Sequence, residues 1–235
     1  MASTDPLDEL LCILNERISF DEKANKIASV KSLCEKVVVE ESLRNVSDDR
    51  KVLVCDFSHL QFPRSEQQRC LNHLPVRTTG DGNCLYNACS IALCGNESLA
   101  SYLRCLTSIE LFLNSSFYAK HPIIEQQHKK GAFSSIANTF AMCLSDIALG
   151  SVTKEDPCAP ILTEAYSNAM NHQWSSFICL LSLSSVVKRP IESYFPITPN
   201  EEKIDSLSTM FNCTIYPREI ATSISDQKII YFVVH

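Results

Sequence analysis

Glycine is scarce in this sequence. Five occur in 235 residues, and three of them, Gly80, Gly82 and Gly95, fall within sixteen positions. Backbone freedom is therefore concentrated at one place. Other absences narrow the function. There is no basic stripe beyond short pairs such as Lys129-Lys130, and the formal net charge is −6, which argues against a nucleic-acid binder. The start, MASTDPLDELLCIL, has neither the basic beginning nor the apolar core of a secretory signal. The longest notable apolar run, FICLLSLSSVV (177–187), is short for a membrane span and interrupted by serines. A cytoplasmic or nuclear protein with no membrane partner is expected. Twelve cysteines are present without a CxxC pair followed by a second CxxC or an HxxxH, so no metal site and no cofactor is expected. With reduced thiols, residues such as Cys105, Cys143 and Cys179, set in apolar helical patterns, read as small core residues.

What is present is an ordinary globular balance, 45% hydrophobic and 20% charged, long enough for one large domain or a domain with an extension. Residues 1–48 read as helices. LDELLCILNERI puts Leu7, Leu10, Leu11 and Leu14 on one face, and ANKIASVKSLCEKVV repeats the pattern with Ile27, Val30, Leu33 and Val37. KVLVCDF (51–57) reads as a short strand and PRSEQQRCLNHLP as a polar helix or loop. Further helices are expected at 84–95, from about Ser98 to Asn114, and at 134–150, 161–170, 172–187 and 200–210. Strands are expected at 189–196, 214–217 and 228–234. Helices first and strands last imply an α+β fold, a small sheet packed against several helices.

The stretch TTGDGNCLYNACSIALCGNE (78–97) carries the chemistry. Two glycines permit a tight turn, and a helical pattern begins at Cys84. Free N–H groups and the positive end of a helix dipole stabilise a thiolate there. Backbone amides released by Gly80 and Gly82 can converge on one spot, as an oxyanion hole requires. The plainer alternative is a helix N-cap turn, with Asp81 or Asn83 as the cap and a buried cysteine after it.

G-D-G-N-C-L-Y-N-A resembles the nucleophile motif of the ovarian-tumour (OTU) class of cysteine deubiquitinases. LRCLTSIELFLNSSFY (103–118) is similar to that family's second helix, and QWSSFICLLSLSSVVKRPIESYFP (173–196) to its segment of a Trp, a core helix and a Pro-Ile strand. The resemblance covers roughly 76–235 and implies a papain-like cysteine protease fold of OTU type, its small central sheet packed between helices. Residues 1–75 would form a helical N-terminal extension and 76–235 the OTU-like domain. The implied reaction is hydrolysis of the bond after the C-terminal glycine of ubiquitin, polyubiquitin or a ubiquitin-like modifier. Cys84 would be the nucleophile, and the amides of Asp81, Gly82 and Cys84 the oxyanion hole. The Asp81 carboxylate would shape the loop.

A histidine base is expected after the last strand, and His235, directly after KIIYFVV, fits that order. No residue follows it to orient the imidazole, so Asp56 upstream is the candidate orienting carboxylate. His59, His73, His121, His128 and His172 read as solvated or structural. Trp174 reads as core packing rather than a substrate platform, and Arg189 and Arg218 as contacts to an acidic partner or as solvated edge residues. The alternative to an enzyme is an inactive or truncated OTU-like module that binds ubiquitin or serves as a scaffold.

Overall fold

A computed structural model describes residues 5–43, 76–153, 156–195, 206–219 and 229–233. Two helices open the chain, α1 (Pro6–Asn15) and α2 (Phe20–Leu43). Asp5 caps the first, its carboxylate accepting the Leu7 N–H at 3.0 Å, with Pro6 already at the first turn. Then come α3 (Cys84–Cys94), α4 (Ala100–Leu113), α5 (Ser115–Tyr118), α6 (Pro122–Lys129), α7 (Ile136–Ala141), α8 (Asp146–Leu149), α9 (Ala159–Ala169) and α10 (Phe177–Val187). Strand β1 (Ile191–Tyr194), helix α11 (Ser206–Phe211), β2 (Cys213–Ile215) and β3 (Ile230–Val233) complete it.

Helix α4 is the axis of the molecule. Residues 103 to 112 are all buried, and α1, α2, α3, α9 and α10 pack around them. The sequence ASYLRCLTSIELFL allows this because Thr107 and Ser108 return their hydroxyls to the carbonyls of Leu103 and Arg104. The N-terminal helices share this core: Leu7, Leu10, Ile27, Val30 and Cys34 belong to the same buried cluster. Phe20 stacks on Phe112 at 4.8 Å, and the Cys105 thiol donates to the Pro6 carbonyl at 3.6 Å. On α2 the inward face differs by one position from expectation, because Leu33 is 47% exposed and Cys34 is buried in its place.

In the sheet, β1 lies between β2 and β3, antiparallel to the first and parallel to the second, with Ile191 opposite Ile215 and Ile230. All four residues of β1 are buried. β1 packs against α11, and β3 against the cysteine-bearing α3. The α+β expectation holds, as do the three C-terminal strands, each shorter than read.

Two expected helices are broken. The one over 134–150 splits after Ala141, and the Cys143 carbonyl in the turn that follows accepts the Ile178 N–H at 2.9 Å. Ser145 then restarts the chain as the cap of α8, held by the Glu164 carboxylate at 3.0 Å from its N–H and 2.7 Å from its hydroxyl. The helix expected from 172 begins at Phe177, because His172 has φ 63° and the carbonyls of Met170 and Gln173 are taken by Arg104. Helix α6 lies where no helix is expected from the sequence; His121 caps it, with Nδ1 accepting the Ile123 N–H at 3.3 Å. The strand expected at 51–57 and the segment 63–75 lie outside the described residues.

Candidate active site

Cys84 opens α3, half-buried, after Asn83 at the cap position. The other cysteines with the same helical context are different in kind. Cys89 is buried, which pushes its thiol up to about 12. Burial likewise raises Cys143 and Cys179, as expected of core sulfurs, and no group of three metal-ligating side chains forms among the described residues.

The loop before Cys84 is fixed by its carbonyls. Asp81 O accepts from His172 Nδ1 at 2.7 Å, Gly82 O from Arg104 Nη2 at 2.5 Å, and Asn83 O from the N–H groups of Tyr86 and Asn87 at 2.8 Å each. In a trans peptide the N–H points away from its own carbonyl. The amides of Gly82, Asn83 and Cys84 are therefore turned away from these three anchors. Asp81 Oδ1 takes the Asn83 N–H at 2.9 Å. Those of Gly82 and Cys84 meet no acceptor among the described residues. Two free donors thus flank a partly exposed thiol at a helix N-terminus.

Asp81 shapes the loop. Burial alone would raise its carboxyl, but the Asn83 backbone and side chain, its own N–H and the neighbouring His172 outweigh this and hold it below the ordinary value. Oδ1 also accepts from Asn87 Nδ2 at 3.1 Å, tying the loop to the first turn of α3.

The two glycines differ. Gly82 has φ 83°, and a Cβ there would stand 2.1 Å from the His172 carbonyl oxygen, so the loop and the 172 turn touch backbone to backbone. A Cβ on Gly80 would meet nothing within 4 Å, and its backbone has no positive φ. Only Gly82 is required by the geometry seen.

Arg104 was read only as part of a helix motif. It is fully buried and gathers four carbonyls: Gly82 at 2.5 Å, Gln173 at 2.7 Å, Asn168 at 3.0 Å and Met170 at 3.2 Å. Its guanidinium also lies 4.7 Å from the Tyr86 ring centre. A lone Arg in an otherwise apolar helix face is the signal that would have found it.

His172, read as structural, lies against the cysteine loop. His121 and His128 do not: the first stacks on Tyr118 and the second faces the Phe133 carbonyl. His235 and Asp56 lie outside the described residues. Among the described residues no side chain hydrogen-bonds the Cys84 sulfur. Trp174 is 76% exposed, contrary to the core reading, and Arg218 pairs with Glu110 at 3.0 Å rather than facing solvent alone.

No helix among the described residues is long and apolar enough to cross a membrane. Residues 75–233, more than half the chain, match the family described as Vertnin, OTU domain. A curated relative, Vertnin from Bos taurus, is 27% identical over 150 residues, 63% of this chain and 21% of that protein. The chain thus spans about a fifth of that relative. No solved structure matches.

Proposed function

Because the chain belongs to the Vertnin OTU-domain family, we propose that it is a thiol-dependent hydrolase of OTU type, cutting the bond after the C-terminal glycine of ubiquitin or a ubiquitin-like modifier. The observation that carries this reading is the pair of acceptor-free amides, Gly82 and Cys84, beside a half-buried thiol at a helix N-terminus. Such donors stabilise the oxyanion of a tetrahedral intermediate, and removing one of them costs about 10²–10³ in rate in comparable sites. Cys84 attacks the carbonyl and forms a thioester. A histidine deprotonates the thiol and later protonates the leaving amine. His235 is assigned that role on chain order, since it follows β3, the strand that borders α3. Asp81, held ionised by the loop it braces, keeps the amides in place and transfers no proton. Helices α1 and α2 support α4 from behind rather than forming a detached arm.

The test is intact-mass analysis after incubation with ubiquitin carrying a C-terminal thiol-reactive warhead. One adduct is expected in the parent chain, none in Cys84→Ala, and an adduct forming at least a hundredfold more slowly once His235 is removed. A folded parent chain that forms no adduct would overturn the ubiquitin-directed reading and leave the binding-module alternative. An adduct surviving in Cys84→Ala would overturn the nucleophile.

A further inference from the structure

We infer that His172 is a positioning residue of the cysteine loop, working through its Nδ1–H and its left-handed backbone and not as the base. This rests on the reading that Cys84 is the nucleophile. Three independent contacts converge on it. Arg104 grips the carbonyls of Met170 and Gln173, one on each side of His172, so the turn is anchored to the core before the imidazole does anything. At φ 63° the residue presents its carbonyl to the Cα of Gly82, itself at φ 83°, and two left-handed turns lock together with no side chain between them. From that position Nδ1 reaches back to Asp81 O at 2.7 Å.

The consequence for the site is directional. Asp81 O accepts only, so Nδ1 carries the proton, and the Asn83 side-chain Nδ2 3.3 Å away is a close neighbour rather than a second donor to it. Pinning the Asp81 carbonyl turns the attached Gly82 N–H the other way, which is what leaves that amide free. Arg104 does the same for the next peptide through Gly82 O. His172 and Arg104 thus orient successive peptides of one loop, the first from an exposed turn and the second from the core. The side chain of His172 is 61% exposed, with the Asp81 carboxylate 3.8 Å from Nδ1.

Three variants separate the roles. His172→Gly keeps the left-handed backbone and removes the donor. His172→Asn keeps both, since Asn tolerates positive φ and offers an amide N–H. His172→Ala loses the donor and strains the turn. Two rates are read. The first is adduct formation at Cys84 with the ubiquitin warhead. The second is hydrogen exchange of the Asn83 amide, which needs no ubiquitin and reports the Asp81–Asn83 bond directly. In His172→Gly the adduct should form about tenfold more slowly and Asn83 should exchange about tenfold faster, the scale of one lost hydrogen bond. His172→Asn should return both to within about threefold, and His172→Ala should be the slowest of the three. If Asn83 exchanges alike in the parent, Gly and Asn chains, the inference fails. If the Asn variant forms adduct as slowly as Gly while its exchange is restored, the imidazole does chemistry and the positioning role fails. A parent chain inert to the warhead defeats the nucleophile reading alone, and exchange still decides this one.

Discussion

Two charges are buried on helix α4, and the protein satisfies them in opposite ways. Arg104, at one end, meets backbone: four carbonyls and the face of Tyr86, with no carboxylate in reach among the described residues. Glu110, towards the other end, meets side chains: Arg218 Nε and the Tyr118 hydroxyl, each at 3.0 Å. An ion pair fixes two side chains to one another and leaves the main chain free to vary. A guanidinium planted among carbonyls fixes the course of the chain itself, here the cysteine loop and the turn at 168–173 together. The end of α4 that builds the site is the one whose charge is spent on backbone.

Removing each charge breaks the comparison most severely. Arg104→Met takes the donor from four carbonyls, two of them (Gly82 and Asn168) in buried contacts, at about 1–3 kcal/mol for each unsatisfied buried group, so a loss of about 2 kcal/mol or more is expected in denaturant titration. Glu110→Gln keeps the shape and an acceptor for Tyr118, and should cost about 1 kcal/mol with Cys84 reactivity unchanged. Equal losses in the two variants would mean that the carbonyl shell of Arg104 carries no special weight. The glycines sharpen the same point. Gly82→Ala places a methyl group 2.1 Å from the His172 oxygen on a positive-φ backbone, and about 3 kcal/mol is expected, with Cys84 reactivity falling further than stability. Gly80→Ala adds a methyl in open space and should stay within about 0.5 kcal/mol. A harmless Gly82→Ala would dissolve the lock between the loop and the 172 turn.

This contrast explains what the sequence made legible. Cys84 and its helix were readable because glycine, aspartate, asparagine and cysteine in that order carry local information: a turn, a cap and a helix start. The three late strands were readable as short β-branched or Pro-flanked segments. Arg104, His172 and the breaks at 143–145 and 171–176 were not, because each depends on a partner far along the chain. The chain leaves the helical path after Ala141, and Ile178 claims the Cys143 carbonyl in the turn that follows; nothing near Cys143 announces that. His172 lies next to the only tryptophan in a polar stretch, and its value comes from Gly82, ninety positions earlier. Leu33 and Cys34 show the same limit within one helix: both suit the apolar stripe, and only the packing partner on α4 decides which turns inward.

The Glu110 end of α4 has a signature of its own, in pH. His121 stacks parallel to Tyr118, ring centres 5.8 Å apart, and Tyr118 in turn donates to Glu110. Burial lowers the His121 imidazole from its usual 6.5 to about 4, and its Nδ1 must stay unprotonated to accept the Ile123 N–H. The unfolded chain therefore binds a proton at higher pH than the folded one. Stability from this group is complete above about 6.5 and is lost as pH falls from there towards 4. Between about pH 7.5 and 5 the loss should be about 2 kcal/mol. His121→Asn keeps an acceptor at the cap and cannot titrate. Its stability should therefore run flatter than the parent's over that range by the same amount, as read from denaturation midpoints at each pH. Parallel curves would show that the histidine is solvated in the folded state.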